Sequence, residues 1–340
     1  MGLTAMRITI RFLSRDQVES LAPHPSKLVE VIAAGLAAHG RGDVVMPPKA
    51  HLQLDHLFSG HFNILPGYVG TIGRAGVKVV GDYVENWRHG LPSELALLTL
   101  YEPRTGTPTC IMDATALTWM RTGAVTCVGA LHLANPTSRI LAHLGARGTA
   151  FTNILLLAHH FPIEEARICS ARPETRERLA EKVRRELGLR AVAFDDPALA
   201  AADADIVVEA TRLSQPEILL PERCLKRGAL LVTYGWVRAI DPALPRAVDR
   251  LVVDDWAQCC LGGQLYELIA DGTLRQDDVD AEIGQIVAGL KPGRQHEDER
   301  ILFWHRGFAV SDVVLGDYVF RRAEAEQIGT MLLLADVGEE

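Results

Sequence analysis

The 340-residue chain is predicted to be an α/β protein, with a doubly wound parallel (Rossmann) sheet in one domain and a mixed sheet in a second, α+β domain. Three observations carry this prediction. From Ser138 onward, short apolar runs alternate with helical segments in a strand, turn, helix rhythm. The first such turn, Gly145 to Ala150, bears glycine between a strand and a helix. After Pro47-Pro48, by contrast, several strand-like pieces follow one another, as a mixed sheet requires. The length also suits two cores better than one.

The elements follow in order. Arg7 to Leu13 alternates as a strand, with Ile8, Ile10 and Phe12 on one side. Ser26 offers an N-cap to a helix whose face is Leu28, Val31, Ile32 and Leu36 and which ends near His39-Gly40. Strand-like pieces lie around Ala50 to Leu54, Phe62 to Leu65, Val77 to Val80 and Leu95 to Leu100. Asp113 is a plausible N-cap for a helix that runs to about Leu133, where Asn135-Pro136 stops it. Beyond Ser138, Arg139 to Leu144 reads as a strand and Thr149 to His160 as its helix. Ala166 to Ser170 is the next strand. Its helix runs from Pro173 to Leu187, with Pro in the first turn and Gly188 past the end. Later strands are expected at Ala191 to Phe194, Asp205 to Thr211, Ala229 to Tyr234 and Leu251 to Val253.

Composition narrows the function classes. Hydrophobic residues at 48% and charged residues at 23% are ordinary globular values, which argues against disorder. A net charge of −8 argues against an electrostatic nucleic-acid or membrane partner, while leaving room for a small acid in a local basic pocket. The six cysteines show no C-x-x-C or metal-finger spacing, so free thiols in a reducing cytoplasm and no metal site are expected. No apolar run has transmembrane length and the first residues lack a signal-peptide core, so a soluble protein is expected.

Lys78, in Gly76-Val77-Lys78-Val79-Val80, and Arg121, on the helix after Asp113, are permanent charges in apolar text. A buried cation needs a partner. Two bland arrangements are open: Lys78 on the wet face of its strand, and Arg121 paired with an internal carboxylate. The surrounding text points further. From Gly76 the chain reads GVKVV, and from Gly90 to Val125 it reads GLPSELALLTLYEPRTGTPTCIMDATALTWMRTGAV. This resembles the ornithine cyclodeaminase and mu-crystallin family. Lys78, Asn86, Gly90, Pro92, Thr105, Gly106, Pro108, Asp113, Leu117, Thr118, Arg121, Thr122 and Ala124 stand at its motif positions. The resemblance implies that Lys78 and Arg121 hold the carboxylate of an amino or imino acid. It also implies a homodimer formed through the first domain. Near the end, Gly307, Ala309 and Asp312 match the family's G-x-A-x-x-D, which opens a helix that returns to the first domain. The expected division is therefore 1–125 with 308–340 for substrate binding and dimerisation, and 126–307 for the dinucleotide.

The expected cofactor site is the turn Gly145-Ala146-Arg147-Gly148-Thr149-Ala150, where backbone N–H groups and a helix N-terminus can meet a pyrophosphate. It departs from G-x-G-x-x-A at Arg147, where the middle glycine allows the closest backbone approach. Either Gly148 supplies the freedom and Arg147 lies against a phosphate, or cofactor binding is weakened. Thr211, after a later strand, is a further candidate contact. The second strand ends in Cys169-Ser170-Ala171-Arg172 without an acid, and Arg176 follows one turn on, so NADP(H) is preferred over NAD(H) unless both arginines are merely solvated.

On the substrate side, Lys49 replaces a family Arg and keeps its charge without the bidentate fork, or is an exposed loop lysine. Asn63 stands where cyclodeaminases tend to present a Glu, with His56 and His61 nearby. Trp236 is either a pocket wall or core. Val237 stands where cyclodeaminases carry an Asp that takes the proton of the reacting amine, and Asp241 is the nearest replacement. The expected function is hydride transfer between a nicotinamide cofactor and the C=N bond of an imino acid or ketimine, or its reverse. Lys78 and Arg121 are the catalytic candidates, and Lys49, Asn63 and Trp236 line the substrate. A cyclodeaminase releasing ammonia and a non-catalytic mu-crystallin-like binder are the alternatives.

Overall fold

The structure, a computed structural model, describes residues 6–337; residues 1–5 and 338–340, expected in the first domain, lie outside the described residues. The chain divides into two compact units, one containing Gly42–Arg121 with the segments before Pro25 and from Ala309 onward, the other containing Pro25–Arg41 and Thr122–Phe308.

In the first unit one sheet runs in the order Thr330–Val337, Met6–Leu13, Pro108–Asp113, Glu94–Tyr101, Arg74–Tyr83, Gly60–Val69 and Val44–Val45, and Ala50–Gln53 also pairs with Gly60–Val69. Met6–Leu13 and Pro108–Asp113 run parallel, and the remaining pairs are antiparallel. Cross-strand register aligns Leu13, Met112, Leu98, Lys78 and Leu65 in one row, every member of it buried. The helix Ala309–Ala325 packs on this face, close enough that a Cβ on Gly316 would meet the Leu98 side chain at 2.3 Å. On the opposite face Phe12, Val79, Leu95 and Leu97 remain exposed.

The second unit is built on a sheet whose neighbouring strands are all parallel, in the order Arg190–Phe194, Glu165–Cys169, Ile140–Leu144, Ile206–Glu209, Leu230–Thr233, Ile301–Trp304, Arg250–Val253 and Ala281–Glu282. This is the doubly wound sheet that the strand, turn, helix rhythm predicts. Leu144, Val207, Leu231, Leu251 and Trp304 meet in its core. The helix Pro173–Leu187 has the predicted bounds, and Gly188 follows it at φ 64°. Ile301–Trp304, unanticipated as a strand, inserts between Leu230–Thr233 and Arg250–Val253.

Two expectations need correction. The helix Pro25–Gly40 packs within the second unit, not with the strands that precede and follow it, because Gly40 and Gly284 let two backbones touch. A Cβ on Gly40 would lie 2.0 Å from the Gly284 carbonyl oxygen. Ser26 is not its N-cap: the helix starts at Pro25, and the Ser26 hydroxyl pairs with His159 Nε2 at 2.8 Å.

Candidate active site

Alternation along Arg74–Tyr83 turns Lys78 into the buried row, so the wet-face arrangement does not hold. The amino group is fully buried and donates to Asp312 Oδ1 at 2.6 Å and to Thr118 Oγ1 at 3.2 Å. Asp113 accepts from the N–H groups of Thr115 and Ala116 and so starts the helix Thr115–Leu133. Two turns on, Arg121 donates from Nε to the same Asp312 Oδ1 at 3.0 Å. The internal carboxylate anticipated for Arg121 thus exists, and it serves Lys78 as well. Burial and the Arg121 charge depress the Lys78 pKa from 10.5 to about 8, against the pull of Asp312.

Two cations on one carboxylate oxygen leave a net positive charge with little access to water. Among the described residues Asp312 Oδ2, also buried, has no hydrogen-bond donor. The cluster therefore offers an excess cation and a spare acceptor side by side. Asp312 is a site residue that the charge argument did not supply; its only sequence signal was the match to G-x-A-x-x-D.

Lys49 is half-buried, one residue beyond the pair Ala50↔Ile64 and therefore beside the row containing Leu65 and Lys78. Asn63, also half-buried, pairs with His51 on one side and Val80 on the other.

In the second unit, Gly145 follows Ile140–Leu144 at φ 102°, where a Cβ would lie 2.6 Å from the Ala210 carbonyl oxygen. Gly148 takes φ 53° and exposed Arg147 does not need a positive φ, so the freedom has moved to Gly148. The helix Ala150–His160 starts directly afterwards; Thr149 stands at its N-cap position but makes no cap bond, its hydroxyl pairing instead with that of Tyr234 at 2.6 Å. The turn thus keeps the glycine geometry and the helix N-terminus that a dinucleotide needs.

Arg172 is exposed, while Arg176 donates to the Ser170 carbonyl at 2.7 Å and so braces the end of Glu165–Cys169. Beside the turn is an open hollow of about 200 Å³ whose lining includes Arg147, Phe151, Thr175, Arg178 and Lys182. Thr211 gives both its N–H and its hydroxyl to buried Glu209, whose carboxyl is pushed up by burial. Neither donor is left for a cofactor.

Trp236 is 47% exposed, so the core role is excluded, and the Arg306 guanidinium lies over its ring at 4.8 Å. Asp241 accepts from the N–H groups of Ala243 and Glu222 and acts as a turn cap. It does not replace the acid missing at Val237.

The profile of the ornithine cyclodeaminase/mu-crystallin family matches residues 10–327. Ketimine reductase mu-crystallin of Rattus norvegicus is 27% identical over 322 residues, covering 93% of this chain and 98% of its own. Among solved structures, the Δ1-pyrroline-2-carboxylate reductase of Thermococcus litoralis, in complex with NADH and L-proline, superposes with a TM-score of 0.89 at 27% identity, covering 94% of this chain and 99% of that one. An archaeal alanine dehydrogenase dimer with bound NAD gives 0.88 at 26% identity, covering 96% and 100%. Motif, fold and full-length likeness agree, and the chain belongs to the ornithine cyclodeaminase/mu-crystallin family.

Proposed function

We propose that the protein is an NAD(P)-dependent oxidoreductase that reduces an imino acid or ketimine to the amino acid, or runs the same hydride transfer in reverse. The observation that carries this reading is the shared oxygen of Asp312, which leaves Lys78 and Arg121 one charge in excess. An α-imino or α-amino acid complements it, because its carboxylate meets the cations and its N–H meets Asp312 Oδ2. The nicotinamide, when bound, supplies or accepts the hydride at C4. The chain's own residues orient the acid, exclude water and move one proton. Lys78 is suited to pass that proton to or from the substrate nitrogen, since its pKa of about 8 lies near working pH. Lys49 and Asn63 extend the acid-binding side.

Ammonia-releasing cyclisation is the weaker reading, since Val237 occupies the acid position and Asp241 is committed to a turn. The deciding experiment is a screen of cyclic and acyclic imino acids with NADPH and NADH, run beside Arg121→Ala. Expected is substrate-dependent loss of reduced cofactor that Arg121→Ala abolishes. Ammonia release without net change in cofactor would overturn the reading in favour of a lyase. Binding of both ligands with no turnover would overturn it in favour of a carrier.

The finer cofactor preference is NADP(H). It is supported by the absence of an acid at the tip of Glu165–Cys169, by exposed Arg172, and by the cations Arg147, Arg178 and Lys182 around the neighbouring hollow. Tighter binding of NADH than of NADPH would refute it. A homodimer is supported by the exposed apolar side chains on one face of the first unit's sheet and by the dimeric archaeal relative. A reducing cytoplasm is supported by six free cysteines, among them Cys110 and Cys127, whose thiols burial pushes up to about 12. Among the described residues no helix is long and apolar enough to cross a membrane.

A further inference from the structure

Beneath the glycine turn runs a chain of hydrogen-bonded side chains. His143, buried on Ile140–Leu144, places Nδ1 2.8 Å from the Gly145 carbonyl oxygen and Nε2 3.2 Å from Asn153 Nδ2. Asn153 Nδ2 lies 2.6 Å from the Tyr234 hydroxyl, which in turn lies 2.6 Å from Thr149 Oγ1. The Tyr234 ring stacks on His305 with centroids 4.7 Å apart, and His305 Nε2 meets Thr126 Oγ1 at 3.1 Å.

The direction of the bonds from His143 to Tyr234 follows from the first acceptor. A carbonyl oxygen only accepts, so His143 Nδ1 carries the hydrogen. Burial lowers the His143 pKa to about 4, so the ring is neutral at working pH and Nε2 is a bare acceptor. Asn153 must therefore present its NH2 group and not its oxygen, which rules out the flipped amide. Its second N–H goes to the Tyr234 oxygen. Of the two hydroxyls the phenol is the more acidic and so the stronger donor, which favours its hydrogen going to Thr149 Oγ1. The Thr149 hydrogen is then turned away from the chain, at the head of the helix Ala150–His160.

Resting on the reading that this turn binds a dinucleotide, we propose that His143, Asn153 and Tyr234 are positioning residues that hold Thr149 as an outward hydrogen-bond donor to the cofactor's pyrophosphate. The relay supplies a fixed donor in a turn whose middle glycine has become Arg147. Tyr234 reaches Thr149 from the end of Leu230–Thr233, so the relay ties together two βα corners of the parallel sheet.

A double-mutant cycle on the full-length protein tests this, with cofactor affinity read by fluorescence titration of NADH and NADPH and without turnover. Tyr234→Phe and Thr149→Val are each expected to weaken binding about tenfold, as loss of a hydrogen bond to a charged group does. The double variant is expected to be no weaker than Thr149→Val alone. Thr149→Ser, which keeps the hydroxyl, is expected to bind like the parent, and this comparison stands even if Tyr234→Phe does not fold. The relay is overturned, with the dinucleotide reading intact, if the parent binds cofactor while Thr149→Val binds as tightly. Additive losses in the cycle, or a Tyr234→Phe variant that melts lower without changed affinity, overturn it equally. A parent that binds neither cofactor overturns both.

Discussion

Lys78 holds no contact with water and owes its charge to Asp312, 234 residues away in sequence. Its pKa is below the ordinary lysine value, so the charged form weighs against folding. The stability this group contributes is absent below pH about 8, rises as pH climbs from about 8 towards 10.5, and is complete above that. Lys78→Met should flatten this rise, which urea midpoints across that range would measure. For the proposed catalysis the sign is opposite: kcat/KM for the acid should fall as pH rises through about 8, where the free enzyme loses the cation proposed to hold the carboxylate. Asp312→Asn strands two buried cations and should cost about 3–5 kcal/mol, read by denaturant titration. The sequence made Lys78 and Arg121 visible because charge in apolar text is anomalous. It did not reveal Asp312 as their partner, because no local pattern links residues so far apart.

Elements whose signals are local were the legible ones. The helix Pro173–Leu187 carries its own start and stop in Pro173 and Gly188, and the helix Thr115–Leu133 has its start in Asp113. Ile301–Trp304 was less visible, since four apolar residues suit a strand or a helix alike until neighbouring strands claim them. The placement of Pro25–Gly40 was hidden for another reason: its apolar face announces burial without naming the partner. The Gly40–Gly284 contact makes a sharp prediction at this scale. Gly40→Ala should destabilise the second unit by about 1–3 kcal/mol or more, because one backbone must move off the other, and circular-dichroism melts would record it. The Tyr234 relay was illegible for the same reason as Asp312, its members being gathered from separate elements.

At the scale of the molecule, the doubly wound sheet and the mixed sheet are the parts that periodicity predicts, and the split of the first unit follows the family's closing helix. The proposed homodimer would use the exposed apolar face that carries Phe12, Val79, Leu95 and Leu97. Leu97→Lys should shift the protein toward monomer in sedimentation, leaving its cofactor affinity unchanged.

The pairing of Met6–Leu13 with Thr330–Val337 has a temporal consequence. During synthesis the parallel sheet has all its strands once residue 304 has left the ribosome, whereas the mixed sheet waits for residue 330 and beyond. Until the helix Ala309–Ala325 arrives, the Lys78 row lacks both its cover and its counter-ion. The second unit is thus positioned to fold first and the first unit last, which leaves the nascent mixed sheet uncovered for longest.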